Sequence, residues 1–265
     1  MDNMTTTSTT DSLISTQANH LSDAELMRYA RQILLDDWDI DAQLRLKNSH
    51  AIIVGMGGLG CPIATILTRA GIGRLSLIDH DDIDVSNLQR QSLYHDADIG
   101  KPKAIVAKSS LHQHNALTDI VAITERLTQD NVQQLIVGAD LVIDCTDNFA
   151  IRDLLNRTCR ANHLPLLSTS AIAETGQIAL YTQDTGCYQC VFGDDTGDEM
   201  TCATSGVLAS TVAIIGAMAS QIALSFLGRG INAIANQLLI WQGQSMTLKH
   251  LSYTIDPDCA VCSGA

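Results

Sequence analysis

The sequence predicts an α/β fold: a mostly parallel sheet with helices on both faces, and a C-terminal subregion drawn in by cysteines. Three observations carry this expectation. Short apolar runs alternate with stretches of helical periodicity over most of the chain. A glycine-rich turn stands directly between one such run and a helix. Two Cys-x-x-Cys pairs, Cys187 with Cys190 and Cys259 with Cys262, lie toward the C-terminal end.

Taken in order, Leu21 to Ile40 has helical spacing, and Ser22 with Glu25 forms a capping-box pattern at its start. Ala51 to Val54 is a short apolar strand, followed by the glycines and a helix over Ile63 to Ala70. Arg74 to Ile78 reads as a second parallel strand ending at Asp79, Lys101 to His114 as a helix, and Ile120 to Ile123 as a strand. Leu141 to Ile143 is a further buried strand ending at Asp144, and Leu164 to Ser168 and Gln177 to Tyr181 complete the series. Strands apolar on both faces belong in a parallel sheet covered on both sides. Ala203 to Gly228 has no charged residue and the length to span a bilayer. Its Ser, Thr and Gly content, and the absence of a flanking basic cluster or aromatic belt, fit a buried helix instead, so no membrane partner is expected. The expected organisation is a disordered tail over 1–20 and one domain over 21–265, with a metal-tied subregion over 182–265.

The 265 residues suffice for a full core, and with only 4% aromatic residues that core must be built from Ile, Leu, Val and Ala. Sixteen basic against 29 acidic residues give a net charge of −13. Such a chain is unsuited to nonspecific nucleic-acid binding, which depends on neutralising phosphates. The Thr- and Ser-rich N-terminus has no basic start and no apolar stretch, so no secretory signal is expected and the predicted location is cytoplasmic.

Gly55-Met56-Gly57-Gly58-Leu59-Gly60 follows a strand and opens a helix. Gly57 and Gly58 let backbone amides approach phosphate oxygens, and the turn delivers those oxygens to a helix N-terminus. Asp79, 24 positions after Gly55, ends the next strand, where a carboxylate can accept ribose hydroxyls. A Rossmann-like nucleotide site follows. An NAD-dependent oxidoreductase would present the same pattern.

The next segment separates the two readings. Asp79-His80-Asp81-Asp82-Ile83-Asp84-Val85 leads into Ser86-Asn87-Leu88-Gln89-Arg90-Gln91, then Gly100-Lys101-Pro102-Lys103, and later Cys145-Thr146-Asp147-Asn148. With Arg28-Tyr29-x-Arg31-Gln32 and the paired cysteines, these motifs resemble, from Leu21 to Cys262, the ubiquitin-activating-like HesA/MoeB/ThiF family. The resemblance implies an ATP-using adenylyltransferase. Its expected substrate is the C-terminal Gly-Gly carboxylate of a small β-grasp sulfur-carrier protein, in the molybdopterin branch or, alternatively, the thiamine branch. A separate persulfide donor would then supply the sulfur for a thiocarboxylate. An oxidoreductase would leave Arg90, Lys103, Asp147 and four cysteines without a role; a scaffolding pseudo-enzyme would be expected to lack a phosphate-binding residue.

Carboxylate adenylation brings two anions together, so fixed cations and Mg2+ are its main catalytic resource. The resemblance assigns Arg90 and Lys103 to the triphosphate, and Arg31 to the same phosphates from the partner subunit of a homodimer. It makes Asp147 essential, and a carboxylate beside a triphosphate is favourable only through an intervening cation, which points to Mg2+. Asn87 and Asn148 are neutral hydrogen-bonders suited to phosphate or ribose, and also ordinary turn residues. By resemblance Asp81, Ser86, Leu88 and Gln89 join the nucleotide contacts.

Cys187, Cys190, Cys259 and Cys262 have the spacing of a tetrahedral zinc site whose four thiolates leave no position for water, so the Zn2+ is expected to be structural. A redox Cys-x-x-Cys is the competing reading. The resemblance makes Cys202, in Met200-Thr201-Cys202 beside an acidic loop, a candidate thiol for sulfur or carrier transfer. Cys61, Cys145 and Cys159 read as small core residues. The histidines form no ligand pattern.

Overall fold

The computed structural model describes residues 19–193 and 206–263. Nearly all of the expected N-terminal tail, and Cys202, lie outside the described residues.

The helix expected from Leu21 to Ile40 is two helices, α1 (Asp23–Ile33) and α2 (Asp39–Lys47). The capping box forms as anticipated: Ser22 Oγ accepts from Glu25 N, and the Glu25 carboxylate accepts from Ser22 N. The break follows from the acidic run Asp36-Asp37-Trp38-Asp39. Carboxylates are unfavourable at a helix C-terminus and favourable at an N-terminus, so they end one helix and open the next. Asp39 takes a positive φ of 45°, and its side chain accepts from Ala42 N.

The chain then alternates: β1 (His50–Val54), α3 (Gly60–Ala70), β2 (Arg74–Ile78), α4 (Lys103–His114), β3 (Asp119–Ile123), α5 (Val132–Ile136), β4 (Leu141–Asp144), α6 (Phe149–Ala161) and β5 (Leu166–Ile172). After these come β6 (Thr175–Tyr181), α7 (Tyr188–Phe192), α8 (Ala209–Arg229), β7 (Gln237–Gln242) and β8 (Thr247–Ser252). The strands form one eight-stranded sheet in the order β3-β2-β1-β4-β5-β6-β7-β8. The first five are parallel, and each of the remaining three pairs antiparallel with the strand before it. The expected parallel core is therefore present, and the hairpins β5–β6 and β7–β8 extend it.

Strand periodicity divides the core into two layers. Along β1, Ala51 and Ile53 join the apolar layer of α2, α3, α4 and α8, while Ile52 and Val54 join the layer of α5 and α6. Helix α8, uncharged up to its last residue Arg229, is long and apolar enough to cross a membrane, yet it packs against α2, α3, β5 and β6. Its small residues explain how: a Cβ on Gly216 would stand 2.5 Å from Pro62 Cγ of α3, so only glycine allows this approach.

Chain order reverses between β1, which leads on to β2, and β4 on its other side. That is a topological switch point, and loops beyond the carboxyl ends of such strands form a crevice.

Candidate active site

The crevice is a cleft of about 410 Å³ lined from the ends of β1, β2, β3, β4 and β5. Its floor is the glycine turn. Gly55 has φ +94°, and its N–H donates to the Ile78 carbonyl at 2.8 Å. A Cβ there would lie 2.9 Å from the Cys145 carbonyl oxygen, so glycine is required both by the dihedral and by the approach of the β4 loop. Met56 is tied at both ends: its N–H donates to Asp79 Oδ2 at 2.7 Å and its carbonyl accepts from Tyr94 Oη at 2.7 Å. In the first turn of α3, Cys61 N donates to the Gly57 carbonyl, Ile63 N to the Leu59 carbonyl, and Pro62 has no N–H, so the amides that can meet an anion in the cleft are those of the glycine turn just before it.

Asp79 is buried and accepts from Met56 N and Asp81 N. Burial pushes its carboxyl above the ordinary range, against the pull of Lys103 and the two amides. Lys103, the first residue of α4, is also buried and donates to Asp81 Oδ2 at 2.9 Å. Its placement comes from pairing between two loops, in which Ile83 N donates to Lys101 O and Lys103 N to Asp81 O. Burial would raise the Asp81 carboxyl too, but the hydrogen bond and charge of Lys103 outweigh it and hold it low. A desolvated ammonium held by one carboxylate is a cation ready for exchange onto a phosphate oxygen.

Of the residues expected at the nucleotide, Gly57, Gly58, Asp79, Asp81, Asn87, Arg90, Lys103, Asp147 and Asn148 all line this cleft. Arg90 is held by its own turn, Nη1 donating to Ser86 O at 3.0 Å. Asn87 Oδ1 accepts from Asp84 N and closes the 3-10 turn Val85–Asn87. Asn148 caps α6 through Ile151 N, so its turn role and its place at the cleft coexist. Ser86, Leu88 and Gln89 do not line it: Leu88 packs on the core, and Ser86 contributes the carbonyl that holds Arg90. Arg31 is exposed on α1, next to Gln32, which binds the Ala70 carbonyl at the far end of α3 from the glycine turn. Within one chain it is remote from the cleft.

Sequence reasoning passed over several lining or supporting residues. Gln91 is buried at the cleft and its Oε1 has no hydrogen-bond partner. Arg126 lines the same wall from the loop after β3. Arg152 of α6 pairs with the fully buried Asp144 at 2.8 Å. Asp144 ends a strand and Arg152 lies one turn beyond the Asn148 cap. That spacing was the available signal; its burial was not.

The cysteines converge as expected. Sγ–Sγ distances are 3.9 Å for Cys187–Cys190 and 3.6 Å for both Cys187–Cys259 and Cys190–Cys262. Four sulfurs at about 2.3 Å from a tetrahedral zinc would stand about 3.8 Å apart, so the set fits that ion. The remaining described cysteines are buried, and burial pushes the Cys61 and Cys159 thiols up to about 12, which suits core residues and not nucleophiles.

Sheet order and glycine turn place the molecule in the doubly wound α/β class, with a cleft of the kind that class uses for ligands. Comparison with known proteins narrows this. Residues 29–261 match the ThiF family model, and the chain belongs to the ThiF family. It is 39% identical over 247 residues to the sulfur carrier protein ThiS adenylyltransferase of Escherichia coli K12, covering 92% of this chain and 98% of that one. Against the molybdopterin-synthase adenylyltransferase of Salmonella typhimurium LT2 identity is 36%, covering 91% and 98%. Among solved structures, E. coli MccB with ATP superposes with a TM-score of 0.75 at 24% identity over 83% of this chain and 68% of that one, a likeness of fold.

Proposed function

We propose that this protein adenylates the C-terminal Gly-Gly carboxylate of a small β-grasp sulfur carrier, in the molybdopterin branch. The observation that carries the reading is the convergence of Lys103, Arg90 and Asp147 on one cleft floored by the glycine turn. The carrier carboxylate oxygen attacks the α-phosphorus of ATP, the bond from that phosphorus to the bridging oxygen breaks, and pyrophosphate leaves. Asp79 receives the ribose hydroxyls, and the amides of the glycine turn at Gly57 and Gly58 receive phosphate oxygens. Lys103 leaves Asp81 for the triphosphate, and Arg90 balances charge building on the leaving group. Bound Mg2+, held through Asp147, would supply further neutralisation of the phosphates. Four-cysteine zinc would be structural, pinning the last residues to the segment after β6.

Arg31 completes the site from a second copy in a homodimer, which explains a motif arginine lying remote from its own cleft. Sulfur then comes from a separate persulfide protein. The thiamine branch performs the same chemistry, and 39% identity to the ThiS adenylyltransferase favours it as the second reading.

The test is pyrophosphate–ATP exchange with each candidate Gly-Gly carrier. Exchange should appear with one carrier and fall by about 10²-fold or more in Lys103→Ala and Asp147→Ala. Exchange with no carrier, or undiminished in both variants, refutes the proposal.

A further inference from the structure

Asp147 stands on a turn whose backbone is gripped from behind. Thr146 N and Oγ1 both donate to Asp144 Oδ1, at 2.9 and 2.7 Å. The Thr146 carbonyl, which shares its peptide plane with Asp147 N, accepts from Arg152 Nη2 at 2.8 Å. Arg152 also donates through Nε to Asp144 Oδ2 at 2.8 Å, and through Nη2 to the Thr169 carbonyl of β5 at 3.0 Å. One buried guanidinium thus joins β4, its loop and β5.

The other side of that guanidinium faces the cysteine-bearing segment. Its central carbon lies 5.7 Å from the centroid of the Tyr188 ring and 5.8 Å from that of Phe149. Tyr188 is fixed in turn by Asn156, whose Oδ1 accepts from Tyr188 N at 3.0 Å and whose Nδ2 reaches Cys187 Sγ at 3.6 Å. Arg160 continues the stripe, Nη1 donating to the carbonyls of Thr182, Gln183 and Thr185. Arg152, Asn156 and Arg160 recur at intervals of four, so one face of α6 touches both the Asp147 turn and the segment leading to the cysteines.

We propose that Arg152 is a positioning residue for the adenylation step: it orients the Thr146–Asp147 peptide, and Tyr188 relays the state of the cysteine cluster to it. This inference rests on the reading of Asp147 as the carboxylate that meets Mg2+ and phosphate. A loosened cluster then acts on the cleft by weakening metal-dependent nucleotide binding, beyond any loss of overall stability.

The experiment is calorimetric titration of the full chain with ATP, with and without Mg2+. Divalent ions are removed by resin, because a chelator would also strip the cysteines. Wild type should bind MgATP about tenfold or more tighter than ATP alone, and Asp147→Asn should lose that ratio. Arg152→Lys keeps the charge without the planar fork, and should lose most of the ratio while binding metal-free ATP within about twofold of wild type. Tyr188→Leu leaves the hydrogen bonds of Arg152 to Asp144, Thr146 and Thr169 available and should lower the ratio about threefold, with no further loss in the double variant. If Arg152→Lys does not fold, Tyr188→Leu carries the test alone. A wild-type ratio in Arg152→Lys or Tyr188→Leu, alongside its loss in Asp147→Asn, overturns the proposal, as does full additivity of the two. A wild-type ratio in Asp147→Asn overturns instead the reading of Asp147, and this inference with it.

Discussion

Replacing Gly55 by alanine imposes two costs that a second glycine separates. At Gly138, φ is +78° and an added Cβ meets nothing within 4 Å, so Gly138→Ala reports the left-handed conformation alone, about 1–2 kcal/mol. Gly55 has a comparable φ of +94°, but its Cβ would lie 2.9 Å from the Cys145 oxygen and 3.0 Å from the Cys145 carbon. Both are backbone atoms, so the glycine turn and the loop after β4 must move apart by several tenths of an ångström, an overpacking cost of about 1–3 kcal/mol. Gly55→Ala should therefore destabilise by about 2–5 kcal/mol, exceeding Gly138→Ala by the steric part. The displaced turn carries the amides proposed to receive the phosphates, so ATP affinity should fall about tenfold or more, while Gly138→Ala leaves it unchanged. Urea unfolding with matched slopes measures the first quantity and calorimetry the second. A Gly55→Ala protein no less stable than Gly138→Ala, binding ATP like wild type, would refute the reasoning.

Four further outcomes are expected. Asp81, held low by Lys103, stabilises the fold above its ordinary pKa of about 4, and that contribution disappears as pH falls through its depressed value. Wild type should thus lose more stability than Asp81→Asn between about pH 4 and pH 2; superimposable acid-unfolding curves would contradict the pairing. Purified protein should carry one zinc per chain, and Cys259→Ser should release it and lower Tm by roughly 10 °C or more, measured by metal analysis and calorimetry. Gly216→Val should destabilise by about 2–3 kcal/mol in urea unfolding by wedging α8 away from Pro62. If Arg31 acts across a dimer, mixing the inactive Arg31→Ala and Lys103→Ala chains should restore exchange, because a mixed dimer holds one intact site; no recovery on mixing would place Arg31 outside the partner's site.

The parts of the molecule legible in the sequence are those governed by local chemistry. The β1–turn–α3 unit, Asp79, the Ser22–Glu25 box and the cysteine set each follow from residue types at fixed spacing. What escaped notice depends on surroundings. β8 is Thr247-Leu-Lys-His-Leu-Ser252, exposed throughout, so it has no apolar alternation and exists because β7 offers an edge. α6 is amphipathic, yet its arginines look like solvent-facing charges until Asp144 and the carbonyls of β5 and the Asp147 turn enclose Arg152. The break between α1 and α2 was written in Asp36-Asp37-Trp38-Asp39, and helical periodicity across it concealed the change of direction.

The cysteine cluster also sets an order of assembly. Each sulfur contact between the two pairs spans 72 positions, and α8 with the β7–β8 hairpin lies inside that span. Closing a loop of this length costs about 4 kcal/mol in chain entropy before any contact offsets it. During synthesis the parallel strands and glycine turn precede the second pair, so a nascent chain can build its nucleotide cleft before the metal clasp can close. Premature termination before Cys259 would then yield a chain with an assembled cleft and no fastening, a candidate for degradation despite an intact nucleotide motif.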